Sequence, residues 1–140
     1  YDCNSDLVPL EKEMNYIHNY IELQQLKDED KLNIQVDTSN ANGKFMIAPM
    51  ILLPFVENSF KHSEIENVSE GWIRIAIETD GSKLKFTCGN SMPKKSYTKD
   101  KVGGVGLENV KRRLDLLYAK KHSLYIKESE NEFTVNLELN

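Results

Sequence analysis

Asn58, Lys61 and His62 stand at helical i, i+3 and i+4 spacing, so on one helix their side chains converge on a single edge. An amide oxygen can coordinate Mg²⁺, an ammonium neutralises phosphate oxygens, and an imidazole hydrogen-bonds or stacks. These are the chemistries of a nucleotide site. The three residues close the long apolar run MIAPMILLPFVENSFKHSE. At ~100° per residue, Pro54, Glu57, Asn58, Lys61 and His62 share one sector, and Leu52, Phe55, Val56, Ser59 and Phe60 lie across from it. Any amphipathic helix divides in this way, so the edge alone fits either a solvated helix surface or a binding wall.

A second wall is suggested by GGVGL, residues 103 to 107, which runs directly into a helical pattern. Glycines let backbone approach a ligand closely, and the free amides of a helix start bind anions. Glycines also simply end loops, so this motif by itself is weak. Upstream, Lys94, Lys95, Lys99 and Lys101 concentrate positive charge in a stretch without apolar period. Such a stretch is either a solvated loop or one able to close over a polyphosphate.

The elements that would position these groups follow from periodicity. Pro9 followed by Glu11 and Glu13 signals a helix start, where proline loses no needed donor and acids suit the dipole. Met14, Ile17 and Ile21 then mark one face of a helix to about Leu26, and LNIQV reads as a short strand. From about Met46 a second, buried helix is expected to end near Ser63, with Pro49 at its start and Pro54 at a bend. WIRIAIET and KLKFTCGN alternate on either side of DGS and predict a hairpin. GLENVKRRLDLLY carries Leu107, Val110, Leu114 and Leu117 at helical spacing, and SLYIKES with EFTVNLEL predicts a second hairpin. The order predicts an α+β fold, a mostly antiparallel sheet with helices on one face.

At 140 residues the chain has the size of one domain, and its apolar runs are shorter than a membrane-spanning helix requires. A net charge of -4, from 18 basic and 22 acidic residues, gives no general reason to expect nucleic acid or an anionic membrane as partner. Cys3 and Cys88 lack metal-ligand spacing and a secretory signal, so reduced, non-catalytic thiols are expected. The chain opens on Tyr1 and enters a helical pattern almost at once, which suggests a piece of a longer protein.

LLPFVENSFKH, followed some forty residues later by GGVGLENVKRRL, resembles the N box and second glycine box of histidine kinase ATP-binding domains. These have the Bergerat-type fold, a two-layer α/β sandwich shared with gyrase and MutL. More narrowly, MIAPMILLPFVENSFKH with GLENVKRRLDLLY resembles sensor kinases whose response regulators often carry LytTR-type DNA-binding domains. The resemblance runs from Leu10 onward. It implies ATP and Mg²⁺ as cofactors, with Asn58 the Mg²⁺ ligand, Lys61 a phosphate contact and His62 a neighbour of the nucleotide. Gly104, Gly106 and Leu107 would form the phosphate-side loop, Asn109 would stand in the following helical turn, and residues 91 to 102 would be the lid.

Two departures qualify what the resemblance implies. The first glycine box usually offers an Asp that accepts a hydrogen bond from the adenine amino group, followed by glycines. Here CGNSMPKK stands in that place, so Asn90 replaces the acid and the glycines are missing. An amide oxygen still accepts, so adenine selection can survive at lower affinity. A degenerate module acting through protein interaction is the alternative. The phosphoacceptor motif resembling N-P-H-F-L-F-N is also missing: His18 reads as an exposed helix residue and His122 as a loop residue beside Lys120 and Lys121. Residues 1–28 then read as a helix connecting to an upstream dimerisation and phosphoacceptor region, and 29–140 as the ATP-binding domain. The expected partners are those upstream helices and a response regulator. A full-length homodimer is expected, cytoplasmic at this domain and tied to a bacterial inner membrane only through upstream segments. A hydrolase of the gyrase kind is not expected, because the place of its water-activating Glu, one turn before Asn58, is held by Pro54.

Overall fold

The computed structural model describes residues 7–63, 65, 67, 70–92 and 105–140, with Val105 and Gly106 described by backbone alone. A five-stranded sheet in the order β2-β4-β5-β7-β6 carries the fold. Its strands are β2 (Ile34–Asn40), β4 (Ile73–Asp80), β5 (Lys83–Ser91), β6 (His122–Glu128) and β7 (Glu132–Leu139). Both expected hairpins form: β4 pairs antiparallel with β5 from Ile73↔Asn90 to Asp80↔Lys83, and β6 with β7 from His122↔Leu139 to Glu128↔Phe133. The tight turn of the first places Gly81 at φ 62°, a backbone conformation that glycine adopts without steric cost. β5 is also flanked by β7, so the two hairpins merge through the middle of the sheet.

β2 is the exception to the antiparallel pattern, pairing parallel with β4 from Ile34↔Ile73 to Asp37↔Ala76 before the register shifts ahead of Asn40↔Glu78. At that shift Asp37 Oδ1 accepts hydrogen bonds from the Ser39 N–H at 3.0 Å and the Ser39 hydroxyl at 2.7 Å. Those bonds hold the exposed Asp37 carboxyl below its usual pKa. A two-stranded ladder of β1 (Val8–Pro9) and β3 (Met46–Ile47) lies apart from the main sheet.

Among the described residues three helices, α1 (Leu10–Leu26), α2 (Leu53–His62) and α3 (Val105–Leu117), complete the fold. Alternate residues of β4, β5 and β7 are buried: Ile73, Ile75, Ile77, Leu84, Phe86, Cys88, Phe133, Val135 and Leu137. They form one core with Leu10 and Ile17 of α1, Phe55 and Val56 of α2, and Leu107, Val110 and Leu114 of α3. The opposite side of the sheet is polar, with Arg74, Glu78, Lys85 and Glu138 in the alternate positions. This is the expected two-layer α+β sandwich with a mixed, mostly antiparallel sheet.

Two local expectations are corrected. The second helix begins at Leu53 rather than near Met46, because Met46–Ile47 is strand and residues 48 to 52 form a turn. Pro54 therefore occupies the first turn, where a missing N–H costs nothing, and Pro49 precedes the helix. Met50 within the turn has φ 60°, a left-handed conformation that ends any helical run through it. His122 is likewise the first residue of β6, half-buried, with Nδ1 2.8 Å from the Tyr118 carbonyl oxygen and Nε2 3.6 Å from Asp115.

Candidate nucleotide site

Helix α2 turns its two faces as its sequence divides. Leu53, Phe55, Val56, Ser59 and Phe60 are buried, while Pro54, Asn58 and His62 are half-buried and Glu57 and Lys61 exposed. The apolar face seats on β5 and packs beside α3, so the polar edge looks out from the helical layer. Lys61 and His62 fall in the last turn, where cations also suit the negative end of the helix dipole. Glu57 lies toward α1. Tyr20 there has its phenol pKa raised first by burial and then by the Glu57 charge. Pro54 sits one turn before Asn58 and has no proton-accepting group.

The start of this helix is set by α1. Glu13 is 0% exposed, and its two carboxyl oxygens accept the Met50 N–H at 3.0 Å and the Leu52 N–H at 2.8 Å. From α3, Arg113 donates to the Met50 carbonyl at 3.1 Å. The Ala48 N–H donates to the Tyr118 hydroxyl at 2.9 Å, and burial raises the pKa of that phenol. Reading Glu13 as a dipole-compensating acid misses this role. Its i, i+4 relation to the buried Ile17 is the signal that places it inward.

Asn90 lies at the end of β5 and is 0% exposed. Its amide nitrogen donates to the Ser91 carbonyl at 2.8 Å, which fixes the side chain so that Oδ1 is left as the open acceptor. That oxygen has no hydrogen-bond partner among the described residues. A buried acceptor without a donor costs about 1–3 kcal/mol, so it calls for a ligand group or an ordered water. The sequence names the residue, but only the structure shows which amide atom is open. The neighbouring Ser91 closes β5, its hydroxyl donating to the Ser63 carbonyl at 3.1 Å and accepting the Trp72 N–H at 2.9 Å. Met92, also placed in the lid by sequence, is buried and donates its N–H to the Asn131 carbonyl at 2.8 Å. The start of the expected lid thus belongs to the sheet end.

Of the residues expected on the phosphate side, Gly106 and Leu107 lie in the first turn of α3, where the leading N–H groups lack partners within the helix. The Leu107 side chain is buried in the core, which leaves only its backbone to face a ligand. Asn109, the fifth residue of α3, is exposed at the start of the next turn. Gly104, and the lid from residue 93 onward with its four lysines, lie outside the described residues. So does Cys3. Cys88 is buried, with Sγ 3.1 Å from the Ser59 hydroxyl oxygen, and burial pushes its pKa up to about 12. That thiol is inert at neutral pH. His18 is exposed on α1, as expected.

A separate groove of about 850 Å³, lined in part by Lys44, Met46, Arg113, Tyr118 and Leu139, contains none of the residues expected to bind a nucleotide. No group of three or more His, Cys, Asp or Glu able to hold a metal occurs among the described residues. No described helix is long and apolar enough to cross a membrane.

No protein-family model matches the chain. It is 25% identical over 139 residues to the sensor protein LytS of Bacillus anthracis, covering 91% of this chain and 24% of that protein. The chain thus spans about a quarter of the length of the curated relatives it matches. Among solved structures, the catalytic domain of the histidine kinase ThkA superposes with a TM-score of 0.66 at 16% identity, covering 95% of this chain and 94% of that one. ThkA in complex with the response regulator protein TrrA gives a TM-score of 0.66 at 15% identity, over 95% of this chain and 40% of that one. The chain is thereby a relative of LytS-type sensor proteins, and its fold is that of histidine kinase catalytic domains.

Proposed function

We propose that the chain is the ATP-binding catalytic domain of a two-component sensor histidine kinase, delivering the γ-phosphoryl group of ATP to a histidine on an upstream helix. The observation that carries this reading is the open Oδ1 of buried Asn90, standing at the sheet end toward which the polar edge of α2 also runs. A carbonyl-type acceptor sealed from solvent fits the exocyclic amine of adenine, and the residues present therefore suit the nucleotide.

Each residue then has a restricted task. Asn90 binds the base, and Asn58 holds Mg²⁺ through its amide oxygen. Lys61 neutralises phosphate oxygens, His62 flanks the nucleotide, and the backbone at Gly104, Gly106 and Leu107 with Asn109 borders the phosphates. Bound Mg²⁺ supplies charge neutralisation across the phosphate oxygens. With Pro54 where a water-activating acid would stand, α2 offers no base for hydrolysis at that position, and catalysis by this chain is positioning and electrostatics. Residues 1–28 connect to the dimerisation and phosphoacceptor region, a response regulator receives the phosphoryl group, and the domain works in the cytoplasm of a membrane-tethered homodimer.

Calorimetric titration with MgATP tests the reading. Binding that raises the melting temperature, and that Asn58→Ala abolishes in Mg²⁺ but not in its absence, is the expected result. No heat and no stabilisation by MgATP would overturn it in favour of a module acting through protein contacts.

A further inference from the structure

A second buried polar atom stands open at the end of α2. Ser63 caps α2, is 1% exposed, and its hydroxyl has no hydrogen-bond partner among the described residues. Its backbone is fully engaged, the N–H on the Ser59 carbonyl at 3.1 Å and the carbonyl on the Ser91 hydroxyl at 3.1 Å. The hydroxyl alone is spare.

The register of α2 on β5 places this hydroxyl. Phe55 packs on Phe86 with ring centroids 5.9 Å apart, and Ser59 meets Cys88 at 3.1 Å. Each step of four along the helix advances ~6 Å and each step of two along the strand ~6.6 Å, so the two ladders keep pace. The next rung is Ser63 with Asn90. The Ser91 bond to the Ser63 carbonyl closes the helix onto the strand at that level. On that register a hydroxyl and an amide oxygen, both buried and both without a partner among the described residues, stand at one level of the helix–strand interface.

We propose that Ser63 and Asn90 together read the amino edge of adenine, which goes beyond the adenine contact of Asn90 alone and rests on the nucleotide-binding function proposed above. Asn90 Oδ1 accepts from the exocyclic amine, and the Ser63 hydroxyl donates to the adjacent ring nitrogen, directly or through one bridging water. Adenine presents a donor beside an acceptor on that edge, whereas guanine presents an acceptor to Asn90 Oδ1. The amide cannot flip to suit guanine without surrendering its bond to the Ser91 carbonyl. The missing glycines of the first box are then offset by a side chain from the end of α2.

The test uses the whole 140-residue chain with MgATP and MgGTP as titrants, and urea unfolding without nucleotide as a parallel readout. Ser63→Ala is expected to weaken MgATP about five- to tenfold, the worth of one hydrogen bond. Its unfolding midpoint without nucleotide should be unchanged or higher, because a spare buried hydroxyl is removed. Wild type should bind MgGTP at least about tenfold more weakly than MgATP, as expected when a buried acceptor faces an acceptor. Ser63→Thr, which retains the hydroxyl, should recover most of the MgATP affinity. Equal MgATP affinity in wild type and Ser63→Ala overturns the pairing while leaving the kinase reading intact. A lowered midpoint in Ser63→Ala also overturns it, since the hydroxyl would then be bonded within the fold. Wild type that binds neither nucleotide overturns the nucleotide reading itself.

Discussion

Removing the Glu13 carboxyl group should be among the most damaging single changes in the chain, although the residue lies outside the proposed nucleotide site. Its two oxygens are the partners of the Met50 and Leu52 N–H groups at the entrance to α2. Glu13→Ala leaves both donors buried and unpaired, at about 1–3 kcal/mol each. The expected loss is therefore about 2–6 kcal/mol, a large share of the ~5–15 kcal/mol that holds a typical domain together. Glu13→Gln keeps the shape, but its one carbonyl serves one amide while its NH₂ faces the other donor, so a loss of about 1–3 kcal/mol is expected. Urea unfolding followed by far-ultraviolet circular dichroism measures both, with stability read from the midpoint at constant m-value. The order wild type, Gln, Ala is the prediction. A Glu13→Ala loss below ~1 kcal/mol would refute the reasoning, since it would mean that water reaches those amides. Because α2 begins at Leu53, directly after the gripped turn, the same variant should also blur the placement of Asn58.

Two further perturbations act on α2 and β5. Lys61→Ala should weaken MgATP about tenfold while leaving the melting temperature within about a degree, because the side chain is exposed and alanine is the better helix former. A large stability loss with normal affinity would contradict it. Cys88 gives a pH prediction. Its folded pKa is raised from 9.0 to about 12, so its contribution to stability is fully present below pH 9 and is lost as pH rises through 12. Over that window the loss approaches about 4 kcal/mol, with the raised tyrosines Tyr20 and Tyr118 adding in the same direction. Urea midpoints between pH 8 and 11 should fall more steeply for wild type than for Cys88→Ala, and equal slopes would count against a buried thiol.

Strand and helix order was legible because the local signals agree with one another. DGS between two alternating runs leaves few options but a hairpin, and Leu107, Val110 and Leu114 at helical spacing are buried as that spacing requires. The start of α2 was not legible, because MIAPMILL is apolar throughout and apolar runs do not distinguish strand, turn and helix. What decides it is tertiary: Glu13 and Arg113, distant in sequence, bind the backbone of Met50 and hold it at φ 60°. The parallel pairing of β2 is equally non-local, since nothing in LNIQV names its neighbour. At the proposed site, residue types and spacing pointed to Asn58 and Lys61, and the family resemblance to Asn90. The open state of Asn90 Oδ1 and of the Ser63 hydroxyl is a statement about missing neighbours, which a linear sequence does not carry.

The shifted register of β2 has a consequence for how molecules of this protein meet one another. β2 is an outermost strand, and an outermost strand with regular unpaired amides is a template on which another chain can add. Between Asp37 and Asn40 the ladder breaks, and the Asp37 side chain takes the Ser39 N–H for itself. A second chain extending the sheet along this margin would have to straighten the break and release that bond, and it would set its backbone beside an exposed negative charge. The irregularity thus works as a guard against intermolecular sheet growth along this margin, one of the two that the sheet presents, the other being β6.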